Sequence, residues 1–115
     1  MSESSILTEI KDGLGLDKED DGFDVELTFL INSAISMIRQ RGIGVDHTVN
    51  ADSKWSDIFQ DGSAELMGMV KEFVRLQTKI IFDPPAPSTL KVMEEVKSEL
   101  IWRIHVGFEE VENVT

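Results

Sequence analysis

The stretch Phe82-Asp83-Pro84-Pro85-Ala86-Pro87-Ser88 constrains this chain more than any other, and it holds all three prolines. Asp83 precedes a proline, which pushes its backbone out of the α region. Pro84, Pro85 and Pro87 each lack an N–H, and each costs about 3 kcal/mol inside a helix. Yet apolar residues recur at helical spacing on both sides, from Ser63 to Phe82 and from Ser88 to Val106. The two runs therefore cannot be one helix. The first stops near Phe82, and Ser88 is placed to cap the second by accepting an N–H of its first turn. Asp83, Pro84, Pro85 and Pro87 form a stiff elbow that sets the direction of the last helix.

Two more helical runs precede the elbow. From Ser4 to Leu16, Ile6, Leu7, Ile10 and Leu14 share a stripe; Ser4 or Ser5 can cap its start, and Gly13 or Gly15 its end. The acidic run Asp17 to Gly22 repels itself and reads as a solvated turn. From Gly22 to Arg41, Phe23, Leu27, Leu30, Ile31, Ala34, Ile35 and Ile38 keep the spacing of one buried face. Asp20 or Asp21 can cap this run, and Gly42 ends it. Val25, Phe29 and Met37 lie off that face and imply a second apolar contact, within the fold or with another subunit. Gly42 to Gly62 has no long period and reads as a loop. Within it Trp55, Ile58 and Phe59 allow one helical turn capped by Ser53, with the aromatics folded onto the core.

After the loop, Leu66, Val70, Phe73, Val74, Gln77, Ile80 and Ile81 supply a broad face, with Lys71, Arg75, Thr78 and Lys79 as an exposed, mostly basic strip suited to an acidic neighbour. Leu90, Met93, Val96, Leu100, Ile101 and Ile104 define the last face, with Trp102 off its centre beside Arg103. Glu99 and Arg103 stand at i, i+4 in the favourable order. The tail from Gly107 to Thr115 is short and acidic and is expected to fray. The pattern predicts one domain over residues 1–115. It is all-α, a small bundle of about four helices near 4–15, 22–41, 63–82 and 88–106, with a long central loop and no sheet of consequence.

Charge and missing motifs narrow the function. A net charge of −11 does not suit binding that neutralises phosphates, or an anionic membrane surface. It suits a basic protein partner, a nucleic-acid mimic, a wall that DNA slides past, or plain solubility. Without cysteine there is no disulfide and no thiolate metal site. The N-terminus lacks the basic and apolar regions of a signal peptide, and no apolar run is long enough to span a bilayer. Asp17-x-Glu19-x-Asp21-Gly22 imitates the start of a calcium loop. However, position 12 falls on Thr28, which cannot give two carboxylate oxygens, so no calcium is expected. His47 and His105 stand alone, and neither a G-x-S-x-G nor a phosphate-binding glycine loop occurs. No catalytic, cofactor-binding or metal-ligating residue is assigned, and the chain is not expected to be an enzyme.

The residues around the elbow carry a resemblance. Val70 to Phe82 runs into Asp83-Pro84-Pro85, and the next helix ends in Glu99-Leu100-Ile101-Trp102-Arg103-Ile104. Length, helix order, the Phe-Asp-Pro-Pro elbow and the Glu-x-x-Trp-Arg signature resemble the head–tail connector (head completion, or adaptor) proteins of tailed bacteriophages. The likeness covers nearly the whole chain and is weakest over Gly42 to Gly62. It implies a structural virion protein that forms a ring, typically twelvefold, beneath the portal at the head–tail interface after assembly in the host cytoplasm. The ring would extend the DNA channel, pass DNA without specific binding, and present a platform for stopper or tail-completion proteins. The C-terminal part would reach the portal. Trp102, Arg103 and the tail after Gly107 are then expected on the docking surface; the alternative is that Trp102 closes the core of its own subunit and Arg103 merely pairs with Glu99. A small acidic regulator or DNA mimic, or a general helical interaction module, are the alternatives; a mimic needs acids spaced like phosphates, whereas here they cluster at Asp17–Asp24 and in the tail.

Overall fold

The computed structural model describes residues 4–40, 48–58 and 64–114, with side chains as far as Gly107. Among the described residues there are five helices and no strand: α1 (Ile6–Gly13), α2 (Asp24–Arg39), α3 (Trp55–Ile58), α4 (Ala64–Phe82) and α5 (Pro87–Val114). The all-α bundle expected from the sequence is the fold observed. Positions 41–47 and 59–63, which include Gly42, His47, Phe59 and Ser63, lie outside the described residues.

α4 is the central element. Its end meets the start of α2, where Phe23 and Phe82 stack edge to face with ring centres 5.2 Å apart. Its start meets the end of α5, where Leu66 rests against Gly107. Midway, Lys97 Nζ donates to Gln77 Oε1 at 2.6 Å. So α2 and α5 both run antiparallel to α4 and flank it. The core between α1, α2 and α4 contains Ile6, Ile10, Leu27, Ile31, Ile35, Val70 and Phe73, all buried. Burial of this kind stabilises by roughly 1.5–3 kcal/mol per large apolar side chain.

Residues 48–58, the described part of the connection between α2 and α4, are fastened to this core. The Asn32 amide brackets Val49, donating to its carbonyl at 2.9 Å and accepting its N–H at 2.7 Å. Ile6 N–H donates to the Ser53 carbonyl at 2.9 Å, and Trp55 Nε1 donates to Glu9. Trp55 and Ile58 are buried, as expected for residues folded back onto the core, and Val49 is buried with them.

Several local expectations are corrected. Ser5 does cap α1, accepting the Thr8 N–H at 3.1 Å, and Gly15 turns the chain with φ 76°. But α2 begins two residues later than Gly22 with Phe23 at its N-cap and no side-chain cap. Asp20 instead accepts the Gly22 N–H at 3.0 Å within the turn. α3 is not capped by Ser53; Asp57 reaches back to the Lys54 N–H at 2.9 Å. α5 starts at Pro87, not Ser88, because proline at the first helical position loses no bond the helix could have made. It also runs to Val114, past the expected end at Val106.

Burial on α4 is also wider than a single stripe. Thr78, expected on the exposed strip, is fully buried, and Leu76 is buried too. Ile81 lies on the expected stripe yet is 49% exposed, since it sits in the last turn, where the chain leaves the bundle for the elbow.

Candidate assembly surface

The surface starts with one buried cation. Lys11, on α1, is 3% exposed, and its Nζ donates to Asp24 Oδ1 at 2.9 Å and to the Lys18 carbonyl at 3.0 Å. The start of the acidic turn is thereby tied to the first residue of α2. A buried charge must be paired in this way, and the pairing gives position more than stability. What it positions is the first turn of α2. Six of the α2 residues, Leu27 to Ile38, face the core. The opposite side of the helix must then point outward, and it carries Val25 and Phe29, one turn apart. They are 87% and 72% exposed. Met37 differs: it is half-buried and packs against the core. The off-stripe trio expected to make a second contact therefore splits into an exposed ridge of two and a packed third.

The basic residues of α4 are occupied within the chain. Lys71 lies 6.0 Å from the centre of the Trp55 ring, Arg75 pairs with Glu72, and Lys79 pairs with Asp83 at 3.3 Å. They are half-buried rather than a bare exposed strip. Lys79–Asp83 links the last turn of α4 to the first residue of the elbow, at an exposed site where such a pair contributes little. At the elbow Asp83, Pro84 and Pro87 are exposed and Pro85 is half-buried.

Past the elbow, α5 presents a second apolar region. Val92 and Val96 are exposed, and Trp102 is 63% exposed despite its size. Arg103 pairs with Glu99 at 2.7 Å, as the i, i+4 spacing predicts. Trp102 does not close its own core. It forms a wall of a cleft of about 290 Å³ between the start of α4 and α5, with Leu66, Met69 and Val106 as apolar lining and Glu65 and Arg103 at the polar edge. Gly107 lines the cleft beside Leu66, with no room for a side chain: a Cβ there would land on Leu66 Cδ2. The sequence marked Trp102 and Arg103, but not the α4 side of the cleft. Its one signal was the glycine inside a helical run.

Among the described residues, no three His, Asp or Glu side chains gather as a metal site, and no helix is long and apolar enough to cross a membrane. What the surface offers is apolar area set in an acidic body. A family model described as phage connector protein matches residues 6–111. The chain belongs to that family. The match reaches every helix of the connector, so the elbow and both apolar regions lie within the family's span. The family gives the connector a structural role between the head and tail of a phage. No curated protein and no solved structure matches it.

Proposed function

We propose that copies of this chain form a ring beneath the portal, which joins the phage head to the tail and continues the DNA channel. The observation that carries the reading is the surplus of exposed apolar surface on a small, strongly acidic chain. Val25 and Phe29 on α2 and Val92, Val96 and Trp102 on α5 are solvent-facing in the single copy. Apolar patches of this kind mark surfaces that are covered in an assembly. The net charge of −11 fits the same role. Carboxylates lining a channel repel phosphates and let DNA pass without adhering. The ring works by assembly and not by catalysis, sits in the virion, and is built in the host cytoplasm. Twelve copies would match a twelvefold portal. The far end of α5, carried out by the elbow, reaches the portal, and the opposite side of the ring receives the stopper or tail-completion protein.

Electron microscopy of the protein mixed with purified portal rings tests this. The expected result is an added ring of density on the tail-facing side of the portal. Bare portals at saturating amounts of the folded chain would overturn it.

A further inference from the structure

The exposed ridge and the cleft are complementary in character and lie at opposite ends of α4. Phe23, just before the ridge, stacks on Phe82, at the end of α4. The cleft is built on Glu65, Leu66 and Met69, at its start. Sixteen helical positions separate Leu66 from Phe82, a rise of roughly 24 Å. The ridge of one copy therefore cannot fill its own cleft.

We propose that Val25 and Phe29 of one copy seat in the Trp102 cleft of the next, so that copies join head to tail. The proposal rests on the ring reading and names the contact within it. At about 290 Å³ the cleft is near the lower limit of ligand pockets (~300–1,000 Å³), a size for one or two side chains rather than a cofactor. Its apolar lining suits a phenylalanine and a valine, and tryptophan and arginine are among the residues most often found at the energetic centre of interfaces. Charge supports the same occupant. Glu26 lies between Val25 and Phe29 on α2 and is exposed. Arg103, at the cleft edge, makes an exposed ion pair with Glu99, both side chains 59% exposed. Such a pair is weak, so Arg103 can turn to Glu26 of the arriving copy at little cost. Glu65 also lines the edge, so Glu26 settles on the Arg103 side, which fixes the direction in which the incoming α2 lies. A contact between two different surfaces of the same chain closes into a ring when its rotation divides the circle, and otherwise builds a filament. This moves Trp102 and Arg103 from the portal-facing surface to the contact between copies, and leaves portal docking to the end of α5.

The absence of native cysteine makes a clean test possible. Ser33→Cys, one turn beyond Phe29, marks the ridge without touching Glu26, and Glu65→Cys marks the cleft; both replace exposed side chains. The double variant, at millimolar concentration with a short bis-maleimide, is expected to give a ladder of covalent oligomers. Each single variant alone should stay uncoupled, and an equal mixture of the two should give dimers. Adding Phe29→Ala to the double variant should cut the coupling about tenfold or more while circular dichroism stays unchanged. Dimers from Ser33→Cys alone would mean like meets like, and would overturn the head-to-tail contact. So would a double variant that does not couple. Light-scattering mass of the same samples, with and without portal rings, separates the two readings. Oligomers without ridge-to-cleft coupling overturn this contact and leave the ring standing. A chain that stays monomeric even with portal overturns both.

Discussion

α2 and α5 both repeat apolar residues every three or four positions, but they are covered to different depths. α2, with 16 residues, buries Leu27, Leu30, Ile31, Ala34, Ile35 and Ile38. α5, with 28 residues, has only Ile104 buried among its described side chains, while Leu100 and Ile101 are half-buried and Val96 is exposed. The difference lies in the neighbours. α2 has α1, α4 and the Val49 segment around it, whereas α5 packs chiefly on α4. A periodic stripe therefore gives the direction of the face that can be buried, but not how many surfaces arrive to cover it. On α5 the stripe itself is left partly exposed, at Val96, whereas the apolar area that α2 leaves exposed, Val25 and Phe29, lies off its stripe.

The comparison can be broken at Ile104. If α5 is held on α4 by few fully buried atoms, Ile104→Ala should cost about 2–5 kcal/mol, as much as Ile31→Ala in the thick core. Urea denaturation of the two variants checks this, and a cost for Ile104→Ala well below that of Ile31→Ala would mean that the hold of α5 is spread along its length. A smaller effect is expected at the close approach of α4 and α5. Gly107→Ala forces Leu66 aside and should destabilise by about 1–3 kcal/mol. In a Leu66→Ala background the obstruction is gone, and alanine is the better helix former by up to ~1 kcal/mol, so the same change should stabilise. A double-mutant cycle with no change of sign would show that the approach is loose. The smallest effects belong to the outer side: Val92→Ala and Val96→Ala should shift the stability of the single copy by no more than about 0.5 kcal/mol. A larger loss in dilute solution would place these side chains in a contact within one chain.

The parts that were legible in the sequence depend on local chemistry. Three prolines stop α4 at Phe82 whatever surrounds them. Ser5 caps α1 because its oxygen needs only the N–H three residues on. Val25 and Phe29 were legible as outward residues because the inward ones left them no other side. The rest depends on neighbours that no local pattern names. Thr78 and Leu76 are buried because α4 lies between α2 and α5 and so has two covered sides, where one stripe suggests a single one. Ile81 keeps to the stripe but outlasts its cover. Lys11 and Asp24 find each other across thirteen positions of chain, and nothing in their spacing announces the pair. The cleft was half legible: Trp102 and Arg103 stand out by residue type, while Glu65, Leu66 and Met69 join them only through the antiparallel packing of α4 and α5.

The elbow and the length of α5 together make a mechanical lever. Twenty-eight helical residues span roughly 42 Å, close to the 44 Å long dimension of the molecule. The arm pivots where Pro84, Pro85 and Pro87 restrict the backbone most. A tilt of about 10° there would carry the far tip through roughly 7 Å, more than one turn of helix. Rigidity at the pivot and the packing of α5 on α4 as far as Gly107 together let so small a chain hold a distant point in register.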